Sequence, residues 1–386
     1  MKNPERSRAI IAGICSLILT VGLARFAYTP LLPIMRNEAG LSYLAGGWLA
    51  TYNYIGYITG AFLAASISNL NWKYQIYRVG LIIAVISTSA MGMTQNVVLW
   101  GILRFISGFS SIAGLLLASG LILNWLIRNG HKPWLGFHFA GLGLGIMVSG
   151  LAVAMMVGQF NWDEQWYVLG LLGILFFIPA WLWIPAPADA QTQELLKSSY
   201  VPTDRWMTLL IATYFCAGFG YVISATFIVS ILEKLPLFEG RGGWVWIMVG
   251  IAATPSSFIW DHVAHRMGQI PAMMLAYALQ IIAIILPVVT VNATINLIGA
   301  VIYGGTFVGI VSLALTLVGR HFPDNPAKAM ARLTLSYGVA QIIAPAIAGH
   351  IADVTGTYKG SLIVATIMMI IGMMLLVMLR REEGRS

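Results

Sequence analysis

Twelve times along this chain, a run of about 20 residues passes with scarcely a charged side chain. A helix of that length crosses the roughly 30 Å hydrocarbon core of a bilayer and satisfies all its own backbone hydrogen bonds on the way. The runs lie at about 9–33, 43–68, 76–95, 97–125, 133–157, 164–184, 206–232, 243–260, 270–290, 293–318, 328–350 and 360–380. They predict an all-α integral membrane protein with twelve transmembrane helices. Barrel strands are excluded, because they would be shorter and would alternate polar with apolar residues. Composition agrees. The chain is 59% hydrophobic and 9% charged, where a soluble domain carries roughly a quarter charged residues. A soluble enzyme built from it could not cover its own apolar surface. Lys2, Arg6 and Arg8 followed by an apolar stretch imitate a secretory signal. The stretch outruns signal-peptide length and has no small-x-small cleavage site, so it is expected to stay as the first span.

One long polar stretch, Pro185–Arg205, interrupts the pattern near mid-chain. A proline-flanked polar connector between equal halves predicts two six-helix bundles, 1–184 and 206–386, joined by a linker at 185–205. The halves also repeat. An ungapped offset of half the 386-residue chain aligns Ala24-Arg25-Phe26-Ala27-Tyr28 with Ala217-Gly218-Phe219-Gly220-Tyr221. The same offset pairs Lys73 with Arg266, Pro133 with Pro326 and Gly145 with Gly338. Parallel repeats of this kind imply bundles related by an axis along the membrane normal. With both termini placed inside, sixteen Lys and Arg fall on inner segments and four (Arg36, Lys234, Arg241, Lys359) on outer ones. That bias predicts cytoplasmic termini. Arg25 and Arg104 belong to neither set, because they lie within spans.

Three local patterns point to one family. Span four carries Arg104-Phe-Ile-Ser-Gly108-Phe-Ser-Ser-Ile-Ala113, similar to an R-x-x-x-G-x-x-x-x-A motif. The segment after span eight, Asp261-His-Val-Ala-His265-Arg266-Met-Gly268, resembles a G-x-x-x-D-R-x-G gating loop, with Asp261 and His265 at the positions of the usual Gly and acid. Gly136, Gly141, Gly145 and Gly150 in span five resemble a glycine-rich antiporter motif without its proline. With the span count and the repeat, these patterns resemble the major facilitator superfamily. Gly22–Met35 and Gly218–Phe227 resemble its YbfB/YjiJ-type group. The resemblance implies a multi-pass transporter of the bacterial inner (plasma) membrane, monomeric, with its substrate at the midplane between the bundles. It also implies a gating role for Asp261, Arg266 and Gly268.

Charge inside a span marks the candidate site. A buried guanidinium is costly in a membrane and needs a cavity or a partner. Arg25 lies roughly 24 Å along its helix from one face, and Arg104 roughly 10 Å from the other. The two are therefore expected at similar depth, as a fork for carboxylate, sulfonate or phosphate or as staples on backbone carbonyls. Tyr28 and Tyr221 occupy equivalent places in the repeat and are expected either to clamp a substrate from both bundles or to sit in the interfacial belt. Asn53, Tyr54 and Tyr57 in span two and Gln341 in span eleven are polar groups in apolar runs, suited to cavity lining or helix–helix bonding. His138 is the titratable candidate for a proton-coupled step, its other reading being a packing histidine. No Asp or Glu stands at mid-span, which argues against transport of lipophilic cations.

The expected function is a secondary active transporter of a small, carboxylate-like organic anion, possible as proton symport. An efflux carrier for drugs or amphipathic metabolites is the alternative. No phosphate-binding loop of the G-x-x-x-x-G-K-[ST] type occurs, so no nucleotide is expected to drive it. No cofactor, metal site, nucleic-acid partner or catalytic constellation is expected either. The two cysteines, Cys15 and Cys216, lie in apolar runs and read as buried thiols.

Overall fold

The computed structural model describes residues 4–131, 135–187, 204–322 and 326–383. Among them every regular element is helical. The helices are α1 (Pro4–Ala39), α2 (Tyr43–Ser66), α3 (Leu70–Met93), α4 (Val97–Arg128), α5 (Gly136–Met156) and α6 (Trp162–Trp183). The second half holds α7 (Asp204–Leu232), α8 (Gly242–Ala253 and Ser256–Met267, bent by 41°), α9 (Gln269–Val289), α10 (Ala293–His321), α11 (Pro326–Thr355) and α12 (Lys359–Glu383). The expected linker at 185–205 lies outside the described residues except for its two ends.

Short polar residues start many of the helices. The side chains of Ser42, Asn69, Asn96 and Asn292 accept from backbone N–H groups in the first turns of α2, α3, α4 and α10. Asn161 and Glu164 form a capping box at the start of α6. Ten of the helices are long and apolar enough to cross a membrane alone, and the bent α8 makes an eleventh. The exception among the described residues is α2. It has 24 residues, but Tyr52, Asn53, Tyr54 and Tyr57 dilute its apolar content, and the last three are buried against protein. The bend in α8 falls at Pro255, which has no N–H to continue the ladder.

The halves form two six-helix bundles. Helices α3, α6, α9 and α12 present exposed Ile86, Leu175, Ile282 and Met374 on their outer faces, an apolar belt suited to lipid. The bundles meet along two related seams, α5 on α8 and α2 on α11, with α1 on α7 between them. Glycine sets the approach in both. A methyl added to Gly150 would lie 2.9 Å from the Ile247 nitrogen, and one on Gly47 would lie 2.9 Å from the Gly349 Cα. Gly243 and Gly250 of α8 face back onto α5 in the same way. Gly141 and Gly145 lie on another face of α5 and admit α1. The span-five glycines therefore serve two contacts, one inside the bundle and one across it.

Candidate functional site

The site is built on an irregularity in α1. From Ile18 to Phe26 the helix widens into π geometry, closed by Ala27 N donating to Gly22 O at 2.9 Å. Gly22 sits against the backbone of Gly145 at this level. The chain returns to α geometry at Tyr28, where Pro30 has no N–H to give. Arg104 of α4 bonds the carbonyls at the end of the π segment. Its Nη2 donates to Arg25 O at 3.3 Å, its Nη1 donates to Ala24 O at 3.1 Å, and Ser107 Oγ donates to Ala24 O at 2.5 Å. Asn53 of α2 locks this staple by donating to Arg104 O at 2.9 Å and to Ser107 Oγ at 3.2 Å.

Arg25 itself is held differently. It is 5% exposed, its Nε has no hydrogen-bond partner, and among the described residues no carboxylate pairs with it. Its guanidinium lies over the rings of Tyr54 at 4.4 Å, Tyr57 at 4.9 Å and Phe26 at 5.5 Å. Tyr221, buried on α7 of the other bundle, lies within electrostatic reach of it. Ring faces offer a cation about 0.5–2 kcal/mol, less than a charge-assisted hydrogen bond to an anion. Arg25 is thus a buried cation whose present partners an anion could replace.

The remaining expected residues separate. Tyr28 and Tyr221 do not face each other as a pair. Tyr28 donates its hydroxyl to Gly46 O at 2.9 Å and lies under the Arg104 guanidinium at 4.5 Å, inside the N-terminal bundle. The Tyr221 ring stacks on Phe307 at 5.1 Å and Tyr337 at 5.7 Å. Gln341 is buried on α11 next to Ile342, whose carbonyl accepts from Thr51 of α2 at 2.9 Å. His138 is 1% exposed, wedged against Gly13 of α1 near the face that carries the termini, roughly 18 Å along that helix from Arg25. At the end of α8, Asp261 approaches His265 at 3.7 Å on an exposed surface, and Arg266 is exposed. Gly268 takes φ +93°, a backbone conformation that favours glycine, and so separates α8 from α9.

Sequence reasoning missed Tyr214, Phe307 and Tyr337. The usable signal was their depth. All three lie well inside spans, away from the interfacial belt where aromatic residues ordinarily collect.

The two faces differ. Opposite the termini the bundles are latched. Thr29 Oγ1 donates to Ala225 O at 2.6 Å, Tyr43 OH donates to Gly356 O at 3.2 Å, and Lys234 Nζ donates to Tyr43 OH at 3.1 Å and to Gly356 O at 3.4 Å. Arg36 lies over the Tyr43 ring at 3.2 Å. Toward the termini, a cleft of about 420 Å³ opens between α2 and α4 of one bundle and α11 of the other, lined by Ile58, Phe62, Lys73, Leu117, Met330 and Leu335. Glu233, just beyond α7 on the latched face, is partly buried with an unpartnered Oε2, and burial pushes its pKa up to about 7.

The profile of a family described as "Uncharacterised MFS-type transporter YbfB" matches residues 17–377. An uncharacterised MFS-type transporter of Bacillus subtilis, YceJ, is 23% identical over 67% of this chain and 67% of its own. A cis,cis-muconate transport protein of Acinetobacter baylyi is 21% identical over 44% of this chain and 41% of its own. A probable sulfoacetate transporter of Cupriavidus necator, SauU, is 20% identical over 93% and 90%. The crystal structure of the nucleoside transporter NupG superposes with a TM-score of 0.73 at 13% identity, covering 98% of this chain and 99% of that one. That likeness carries the fold alone.

Proposed function

We propose that this chain, which belongs to the YbfB-type family of major facilitator transporters, moves a small organic anion across the bacterial inner membrane by alternating access. The observation that carries the reading is Arg25, a buried guanidinium facing aromatic rings with no carboxylate beside it. Such a group is costly in a membrane interior unless it serves a ligand. Relatives described as carrying muconate and sulfoacetate, both organic anions, support the same substrate class. In this proposal Arg25 holds the anionic group, with Tyr57 and Tyr221 against the body of the substrate. Arg104, Asn53 and Tyr28 fix the π segment that presents Arg25 and act as positioning residues. Gln341 belongs to the α2–α11 seam.

Residues 1–184 and 206–386 are the two rocking bodies, their termini cytoplasmic, and the chain works as a monomer. The latched face is then the outer one, and the substrate leaves or enters through the inner cleft. Asp261, Arg266 and Gly268 lie where α8 must turn as the inner face closes. Proton coupling is part of the reading, with His138 as its titratable side chain within the N-terminal bundle.

Ligand-induced thermal stabilisation tests this. Purified protein is heated with small carboxylates, sulfonates, phosphates, amino acids and lipophilic cations. A ligand that binds only the folded state raises Tm by mass action. Anions are expected to stabilise the wild type, Arg25→Lys to weaken the response at least about tenfold through loss of the planar fork, and Arg25→Ala to abolish it. Stabilisation by lipophilic cations alone, or an unchanged response in Arg25→Ala, overturns the reading in favour of a drug-type efflux carrier.

A further inference from the structure

The seam between α2 and α11 closes in steps, each pairing a residue further along α2 with one earlier on α11. Gly47 lies against the backbone of Pro345 and Gly349, Thr51 Oγ1 donates to Ile342 O at 2.9 Å, and Ile58 lies against Gly338. One turn further in, the helices stand apart. Ala61 and Phe62 of α2 and Thr334 and Leu335 of α11 line the inner cleft instead. Ile58 lines it too, and is the deepest of the α2 residues that do. Ile58 on Gly338 thus marks where the seam ends and the cleft begins.

The contact is a knob in a notch. A methyl added to Gly338 would overlap Ile58 Cδ1 and lie 2.8 Å from its Cγ1. Ile58 is 8% exposed, and Gly338 is buried. The internal repeat sets this glycine apart. Its counterpart Gly145 receives the Gly22 backbone inside its own bundle, whereas Gly338 receives a side chain from the other bundle. Isoleucine in a helix holds one strongly preferred χ1 rotamer. The knob therefore leaves its notch when the helices part, not by swinging aside.

The surroundings of Arg25 begin one turn outward. Tyr54 precedes Ile58 by four residues on the same face of α2, roughly 6 Å along the axis, and its ring lies 4.4 Å from the guanidinium. On α11, Tyr337 adjoins Gly338, and its ring stacks on Tyr221 at 5.7 Å. On the cleft side, Lys73 is the one charged side chain among the described lining residues, with the sign to draw in an anion.

We propose that Ile58 seated on Gly338 is the inner gate of the anion path. One side chain shuts the route between Arg25 and the cleft, and the anion passes when α2 and α11 part at that point. The inference rests on the Arg25 reading only for what passes. Its test uses no substrate, so the gate can fail while the anion reading stands, and the reverse.

Single cysteines are placed on either side of the contact in full-length protein carrying Cys15→Ala and Cys216→Ala. Gln341→Cys lies one turn outward of Gly338, on the face of α11 that carries Tyr337, and Thr334→Cys lies one turn inward, in the cleft. Each is labelled at fixed pH with 2-sulfonatoethyl methanethiosulfonate, a small anionic thiol reagent, and the rate is divided by that of the same protein denatured. Thr334→Cys is expected to react at least tenfold faster than Gln341→Cys. Ile58→Ala should raise the Gln341→Cys rate at least tenfold and leave Thr334→Cys and the outer-face Thr29→Cys within twofold. Adding Gly338→Val to Ile58→Ala refills the notch from the other side and should bring the rate back to within threefold of the original, which mere loosening would not do. If Ile58→Ala fails to fold, Ile58→Val, which lacks the Cδ1 seated on the glycine, takes its place, and a rise of at least threefold at Gln341→Cys is then required. Equal rates at the two positions with Ile58 in place, or a Gln341→Cys rate indifferent to the Ile58 substitution, overturns the gate. A rise that Gly338→Val does not reverse, or one matched at Thr29→Cys, overturns it as well.

Discussion

Two arginines within spans have opposite tasks at the scale of the residue, and single substitutions separate them. Arg104 bonds two carbonyls of α1 at the end of its π segment. Removing it takes two charge-assisted hydrogen bonds from that segment, although Ser107 Oγ stays on Ala24 O, at a cost on the order of 3 kcal/mol. Arg104→Ala is therefore expected to lower the Tm of ligand-free protein by several degrees, while any remaining folded protein still shows an anion-induced shift. Arg25→Ala is expected to reverse that pattern, with ligand-free Tm changed little and the shift gone. Differential scanning fluorimetry of both variants with and without ligand reads the contrast directly. Arg25 was legible in the sequence because a charge in an apolar run demands an explanation. The division of labour was not. Which carbonyls Arg104 reaches follows from the π segment, where Gly22 meets Gly145 from a helix far along the chain.

The element scale concerns the latched face. Lys234 joins Tyr43 at the start of α2 to Gly356 before α12, so one side chain ties both bundles. Lys234→Gln is expected to loosen that face. The readout is labelling of a single cysteine introduced by Thr29→Cys, after Cys15→Ala and Cys216→Ala, with an impermeant maleimide; labelling should rise several-fold. Glu233 adds a pH dependence. Burial raises its pKa from 4.5 to about 7 while the face is closed, opposed by a backbone hydrogen bond at Gly240 and helped by the repulsion of Glu239. When the face opens and water returns, the pKa falls toward its ordinary value. Between these values the open form has lost its proton and the closed form keeps it. Closure therefore weakens as pH rises through that window and stays weak above about 7. Divided by the rate of a free thiol at each pH, labelling at Thr29→Cys should increase from pH 5 to pH 8, and Glu233→Gln should flatten the normalised profile. A sequence reading sees Glu233 only as an acid at the end of a span, since its burial depends on how the 233–241 loop folds back toward Gly242.

The whole molecule was legible in its periodicity, with one instructive exception. Eleven spans, counting the bent α8, are apolar enough to identify themselves among the described residues. α2 announces itself only by length and by neighbours, because Asn53, Tyr54 and Tyr57 face protein. The aromatic stack on the other side of the site was opaque for a related reason. Tyr214, Phe307 and Tyr337 come from α7, α10 and α11, and no spacing within one helix reveals that their rings will lie parallel. For the intact protein, reconstituted vesicles loaded with buffer should take up a recognised anion down its gradient, and crosslinking the latched face shut should stop the flux. Continued flux through a crosslinked protein would rule out alternation between the two bundles.

The glycine seam of α5 against α8 bears on how fast such alternation can run. Where side chains interlock, turning one helix past another requires each to leave its rotamer and find a new one. Along Gly143, Gly150, Gly243 and Gly250 much of the contact is backbone on backbone, and Trp246 Nε1 donating to Ser149 Oγ at 3.2 Å is a polar tie across the same seam. The seam resembles a bearing with a single catch, having few rotamers to change as its angle changes. Resistance to motion then falls on a small set of polar ties, those at the latched end together with Trp246–Ser149 and Thr51–Ile342 in the seams, and the turnover rate can be tuned at each of them.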